Sequence, residues 1–274
     1  MPEVIKDRSW LSDLIRRQGT VLTIGLDTDP SKLPAAVSGD VLTFNKAIID
    51  ATRHVCVAYK PNFAFYEAMG VKGWRILEET ISYIGNKHLI IADAKRGDIG
   101  NTSNMYARAI LEEMGCDAIT VNPYMGSDCV MPFFIEGKWV IILALTSNAG
   151  SSDFQQQILP SGKKLYEEVM HTTSSWGHSG NTMYVLGATH PNEVAACRNA
   201  FPEHFFLIPG VGAQGGDLDA ILTAGLNANG GLLINASRTI LYASPEANFA
   251  EMAAREAERL NTIILPHLER MRVS

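Results

Sequence analysis

About a third of the way along the chain, two acids and a lysine stand close together in the run Asp93-Ala94-Lys95-Arg96-Gly97-Asp98-Ile99. Asp93 and Lys95 end a β-rich apolar stretch, 88–95, and alternation along a strand points both to one face; Asp98 follows three residues later in the loop. Two further charges end comparable stretches: Asp27 closes 21–27, and Lys60 closes 55–60 just ahead of Pro61-Asn62. Gathered at one mouth, Asp27, Lys60, Asp93 and Lys95 form an array of alternating sign. An ammonium held among carboxylates is equipped to stabilise developing negative charge and to donate a proton. The plain alternative is a structural salt-bridge network, although four charges at neighbouring strand ends carry a desolvation cost that a purely structural role rarely explains.

A second group of residues suits an anion. Pro209-Gly210-Val211-Gly212-Ala213-Gln214-Gly215-Gly216-Asp217 follows one apolar run, and Asn235-Ala236-Ser237-Arg238 ends another. Glycines let backbone N–H groups approach phosphate oxygens, Gln214 can donate a further hydrogen bond, and Arg238 can pair with phosphate through two parallel bonds. The spacing Gly210-x-Gly212-x-x-Gly215 also matches a dinucleotide fingerprint, but that motif needs an acid ending the next strand, and the next strand ends in Arg238. A plain turn-forming glycine cluster stays open. Thr146-Ser147-Asn148 offers short polar side chains suited to the amide edge of a neutral ring, or simply begins a loop. His190 stands before Pro191 without a Ser or Cys nucleophile pattern and is left outside the chemistry.

Eight stretches must position these groups: 21–27, 55–60, 88–95, 118–123, 139–147, 183–189, 205–212 and 231–238. They are nearly continuous in apolar residues, as expected of parallel strands covered on both faces. Residues 73–85, 101–114 and 192–200 read as crossover helices between them. An eightfold βα repeat predicts a closed (β/α)8 barrel of the TIM type, whose strand C-termini share one functional rim, with the loops after strands seven and eight as the usual phosphate site. A doubly wound open sheet is the alternative. Extra helices are expected at 6–18 and from Ser244-Pro245-Glu246 onward, where Ser can cap and Pro suits the first turn. The polar segment 148–162 reads as an ordinary surface loop rather than a lid. No compositional linker divides the 274 residues, which predicts a single barrel domain over 1–274.

Composition narrows the partners. A net charge of −6 argues against sequence-independent attraction to nucleic acid or an anionic membrane, so any anionic ligand must meet local cations. Cys56, Cys116, Cys129 and Cys197 are scattered, without CxxC pairs or histidines at metal-ligand spacing, and read as free thiols. The N-terminal stretch has no apolar signal region and no run approaches a membrane span, so a cytoplasmic protein is expected.

Asp93, Lys95, Asp98 and Ile99 meet the pattern Asp-x-Lys-x-x-Asp-Ile, and here the sequence resembles the orotidine 5'-phosphate decarboxylase family. The likeness spans nearly the whole barrel: Gly25-Leu26-Asp27, Tyr59-Lys60-Pro61-Asn62, and Pro209 to Gly216 with Arg238 all match. Phe44-Asn45, Lys60 to Glu67 and Thr146-Ser147-Asn148 resemble the longer bacterial branch of that family. The resemblance implies decarboxylation of orotidine 5'-phosphate to uridine 5'-phosphate in pyrimidine biosynthesis, with no cofactor and no metal. It assigns Lys95, Asp93, Lys60 and Asp98 to catalysis, and Asp27, Thr146, Ser147, Gly212, Gln214, Ser237 and Arg238 to substrate binding. It also implies a homodimer in which Asp98 enters the neighbouring subunit's site.

A related group shares the Asp-x-Lys-x-x-Asp motif: the magnesium-dependent 3-keto-L-gulonate 6-phosphate decarboxylases and hexulose phosphate synthases. These carry a metal-binding glutamate where strand two here ends in Lys60, and a lysine there repels Mg2+. A non-catalytic sensor of phosphate ligands is a reading of a different class. It leaves the acid–base array without a purpose, because recognising a neutral base and a phosphate needs no Lys beside an Asp.

Overall fold

The computed structural model describes residues 4–187, 189, 191–210 and 217–273, with side chains to 271. Eight parallel strands close into a barrel in chain order: β1 (Leu22–Leu26), β2 (Ala58–Pro61), β3 (Leu89–Arg96), β4 (Ala118–Val121), β5 (Trp139–Leu145), β6 (Thr182–Leu186), β7 (Phe205–Pro209) and β8 (Leu232–Ala236), with β8 pairing back onto β1. The expected barrel is therefore the observed one. Five of the strands are buried along their whole length, as strands must be when helices cover one face and packed side chains fill the other. Several stop earlier than their apolar runs. Asn122-Pro123 breaks away into a 3-10 turn after β4, with the Asn122 side chain accepting from the Tyr124 N–H, and Arg238 already belongs to the next helix.

Helices α1 (Arg8–Gln18), α2 (Val41–Thr52), α3 (Phe63–Glu67), α4 (Gly70–Ile84), α5 (Gly100–Ala107), α6 (Ser127–Val130), α7 (Leu165–Thr173), α8 (Pro191–Ala200), α9 (Leu218–Gly225), α10 (Arg238–Leu241) and α11 (Phe249–Val273) surround it. After α5 the chain continues through a π-helical stretch, Arg108–Glu113. The terminal helices differ from expectation in where they start. Asp7 caps α1 by accepting from the Trp10 N–H, so Lys6 lies before the helix rather than in it. Ser244 accepts from the Glu246 N–H and donates to Asn248, forming a turn in place of a helix cap. That turn delivers Phe249 onto Phe44, ring centroids 5.1 Å apart, and α11 starts there. The 148–162 segment is more organised than a plain loop: a 3-10 turn over Ala149–Ser152 buries Ser151, and Ile158 pairs with Lys164.

The floor of the barrel, at the strand N-termini, is sealed by groups the sequence reading did not single out. Lys6 is buried, with its ammonium 2.7 Å from Asp117 Oδ2 and donating to the His88 carbonyl, while the Trp139 indole donates to the Lys6 carbonyl. Asp117 also accepts from the Ile90 N–H. Its burial pushes the carboxyl pKa up against the pull of Lys6. Nearby, the buried Arg198 guanidinium donates to the carbonyls of Gly225, Phe201, Pro202, His204 and Gly231, and lies 4.0 Å over the Phe206 ring. Among the described residues, no helix is long and apolar enough to cross a membrane.

Candidate active site

At the opposite rim the charged residues of β1 to β3 converge. Lys60 lies on β2 beside Gly25 of β1, is 3% exposed, and donates to Asp93 Oδ2 at 2.7 Å. Its ammonium also stands 3.9 Å from Asp27 Oδ1. Asp93, on β3 and itself buried, receives Lys95 on its other oxygen, Oδ1. Lys95 is the solvent-facing member, its side chain 50% exposed at the mouth. Burial alone would push the Asp93 carboxyl pKa up. The flanking ammonium groups of Lys60 and Lys95 outweigh that and hold it well below the usual carboxylate range. For Lys60, burial works against the charged form, but Asp93 and Asp27 raise its pKa overall. Lys60 is thus kept charged beside an ionised carboxylate.

Asp93 and Lys95 do meet, but simple strand alternation is not how they do so. The β3–β4 register shifts between Ala92 and Arg96, and Lys95 takes a left-handed backbone, φ 47°. That conformation is uncommon for a residue with a side chain and is stored where the surroundings enforce it. Arg96 is thereby turned outward, to Glu67 and over the Tyr106 ring. Asp27 stands just beyond β1. Its peptide is fixed by two phenols that sequence reasoning gave no role: Tyr66 donates to the Leu26 carbonyl and Tyr242 to the Asp27 carbonyl. A buried amide, Asn45, holds Tyr66 in place. Gly25 has to be glycine, because a Cβ there would come within 1.9 Å of Ser237 Oγ on the adjoining strand end.

The remaining expected site residues divide. Asp98 is not brought into the charge array of its own chain; its carboxylate accepts from the adjacent Ile99 N–H. Thr146 follows β5 and is tied down, its N–H donating to Gln155 Oε1 at 2.7 Å and its hydroxyl engaging Asn148 and Gln155. Ser147 packs its backbone against Gly187, where a Cβ would lie 2.8 Å from the Ser147 nitrogen. Ser237 accepts from Asn235, and Arg238 is exposed at the first position of α10. The β7–β8 register sets Pro209 beside Asn235, so the Gly210 turn, φ 92°, and Arg238 belong to one corner of the rim. Gly212 and Gln214 lie outside the described residues, as does His190. Asp217 caps α9 by accepting from the Ala220 N–H.

The family pattern of orotidine 5'-phosphate decarboxylase / HUMPS matches residues 21–253, the whole barrel. A relative named orotidine 5'-phosphate decarboxylase from Christiangramia forsetii is 50% identical over 268 residues, covering 95% of this chain and 98% of that one. This chain belongs to the orotidine 5'-phosphate decarboxylase family. A second decarboxylase of that name, from Phocaeicola vulgatus, is 49% identical over 93% of this chain and 96% of its own length. Among solved structures, OMP decarboxylase of Leishmania donovani superposes with a TM-score of 0.78 at 34% identity, covering 93% of this chain and 98% of that one. The family match spans the strand ends that carry Asp27, Lys60, Asp93, Lys95 and Arg238.

Proposed function

We propose that this chain is a carboxy-lyase that converts orotidine 5'-phosphate to uridine 5'-phosphate, in pyrimidine biosynthesis, as a single barrel unit. The reading rests on its family and on one observation: a solvent-facing ammonium, Lys95, clamped to a carboxylate that a buried second lysine keeps ionised. In the reaction the bond from C6 to the carboxylate breaks, CO2 leaves, and the electron pair stays on C6 in the plane of the ring, where ring π-delocalisation is closed to it. Lys95 stabilises that charge and then donates its proton to C6, regaining one from solvent. Asp93 orients Lys95 and faces the substrate carboxylate, so that repulsion in the ground state fades as CO2 departs.

Asp27 Oδ1 is buried without a hydrogen-bond partner among the described residues, an acceptor suited to a ribose hydroxyl, and Lys60 supplies a donor beside it. Ser147, presented by the Thr146–Gln155 clamp, reads the pyrimidine's amide edge. Gln214, Gly212, Ser237 and Arg238 grip the phosphate, whose binding energy, far from C6, is available to the transition state. A homodimer with Asp98 reaching the neighbour's site is supported by the apolar surface around that residue: Ile99, Met105, Tyr106, Tyr124, Met125 and Met131 are all exposed on the segments after β3 and β4. The deciding experiment mixes purified protein with orotidine 5'-phosphate and follows its absorbance. Wild type consumes it. Lys95→Ala stays folded and still binds a uridine monophosphate analogue but does not turn over; near-normal turnover in that variant removes Lys95 from the chemistry.

A further inference from the structure

The left-handed backbone at Lys95 needs something to hold it, and among the described residues one side chain hydrogen-bonds its N–H. Thr120, third residue of β4 and 1% exposed, accepts a hydrogen bond from the Lys95 N–H at 2.9 Å. The same hydroxyl donates to Asp93 Oδ1 at 3.2 Å, the oxygen that the Lys95 ammonium also binds. The Ala92 carbonyl is its other acceptor within range, but at 3.5 Å, and an ionised carboxylate is the stronger one. A closed ring results: Lys95 backbone to Thr120 hydroxyl, hydroxyl to Asp93, and Asp93 back to the Lys95 side chain.

We infer that Thr120 is a positioning residue for decarboxylation: its hydroxyl locks the strained Lys95 backbone to the carboxylate that aims the Lys95 ammonium. The register shift between β3 and β4 explains why such a lock is needed. Where ladder bonds are interrupted, the Lys95 N–H has no strand partner, and the Thr120 hydroxyl takes the place of the missing carbonyl. Without it the peptide is free to relax out of the left-handed well, carrying the ammonium away from the line of attack. A displacement of about an ångström at a reacting group is enough to cost roughly a hundredfold in rate. Ground-state affinity depends mainly on the ribose and phosphate contacts, which Thr120 does not touch.

The inference rests on Lys95 acting at C6, so the experiment runs Thr120→Val and Thr120→Ser beside Lys95→Ala. Valine keeps the shape of threonine and removes only the hydroxyl. The expected result is a Thr120→Val protein with kcat reduced about 10- to 100-fold and KM within about threefold of wild type. Thr120→Ser, which restores the hydroxyl, should return kcat to within about threefold. Dissociation of a uridine monophosphate analogue should be unchanged in both. Wild-type kcat in Thr120→Val, or a serine variant as slow as the valine one, overturns the lock even when Lys95→Ala is inactive. An active Lys95→Ala overturns the underlying mechanism instead. Should valine prevent folding, the serine variant together with Thr120→Ala carries the same comparison.

Discussion

Replacing Lys60 with methionine removes the buried cation from between two carboxylates while keeping most of its volume. Its Nζ is 2.7 Å from Asp93 and 3.9 Å from Asp27. At an effective dielectric constant of about 20 those separations correspond to gross attractions of about 6 and about 4 kcal/mol. Much of this is offset by the desolvation that the ammonium no longer suffers, and Lys95 remains to neutralise Asp93 in part. Breaking one partner out of a buried pair costs about 3–5 kcal/mol, and with Lys95 still in place about 3 is expected at neutral pH. The pH dependence is the sharper signature. In wild type the depressed Asp93 pKa contributes stability that is present above the ordinary value of 3.8 and is lost as pH falls through the folded value. In Lys60→Met that contribution shrinks, so the gap between the two proteins should be near its full size at pH 7 and narrow steadily below pH 4. Urea unfolding at a series of pH values, followed by circular dichroism, measures it. A gap below about 1 kcal/mol at pH 7, or one that stays constant down to pH 3, refutes the coupling inferred from the geometry.

Three other outcomes are expected. Arg238→Ala should lower kcat/KM for the nucleotide about 100-fold or more, the loss of two charge-assisted hydrogen bonds, while leaving turnover of a phosphate-free substrate little changed; steady-state kinetics on both substrates compares them. Arg198→Ala removes a buried donor shared by five backbone carbonyls, of which Gly231, Phe201 and Pro202 keep another donor, and should cost about 3 kcal/mol in urea unfolding, with kcat unaffected in whatever fraction remains folded. Turnover should survive dialysis against excess chelator, whereas activity restored only by Mg2+ would move this chain toward the metal-dependent sugar-phosphate branch.

Much of this is legible in the sequence. All eight strands fall within or overlap their apolar runs, because parallel barrel strands are buried on both faces and cannot disguise themselves. Lys60 and Asp93 declared themselves as charges at the ends of such runs. The means of holding them was hidden. Thr120 sits in Ala118-Ile119-Thr120-Val121, where a threonine reads as ordinary strand propensity, and only the shifted register gives its hydroxyl work. Gln155 looked like one glutamine of three in a polar segment, and nothing local says that it folds back onto Thr146. The signal for Tyr66 and Tyr242 is their phenolic hydroxyl, which a buried tyrosine must satisfy somewhere. The start of α11 was misplaced because Ser244-Pro245-Glu246 is locally a good helix opening, and the stacking of Phe249 on Phe44, far apart in sequence, decides otherwise.

The sealed underside separates two properties that are often entangled. Lys6, Asp117 and Arg198 are fastened at the end of the barrel away from the charged rim, so changes there should alter how long a molecule survives while each survivor works at its normal pace. Durability of this protein is therefore open to redesign from below, by improving that plug, without disturbing the chemistry above it.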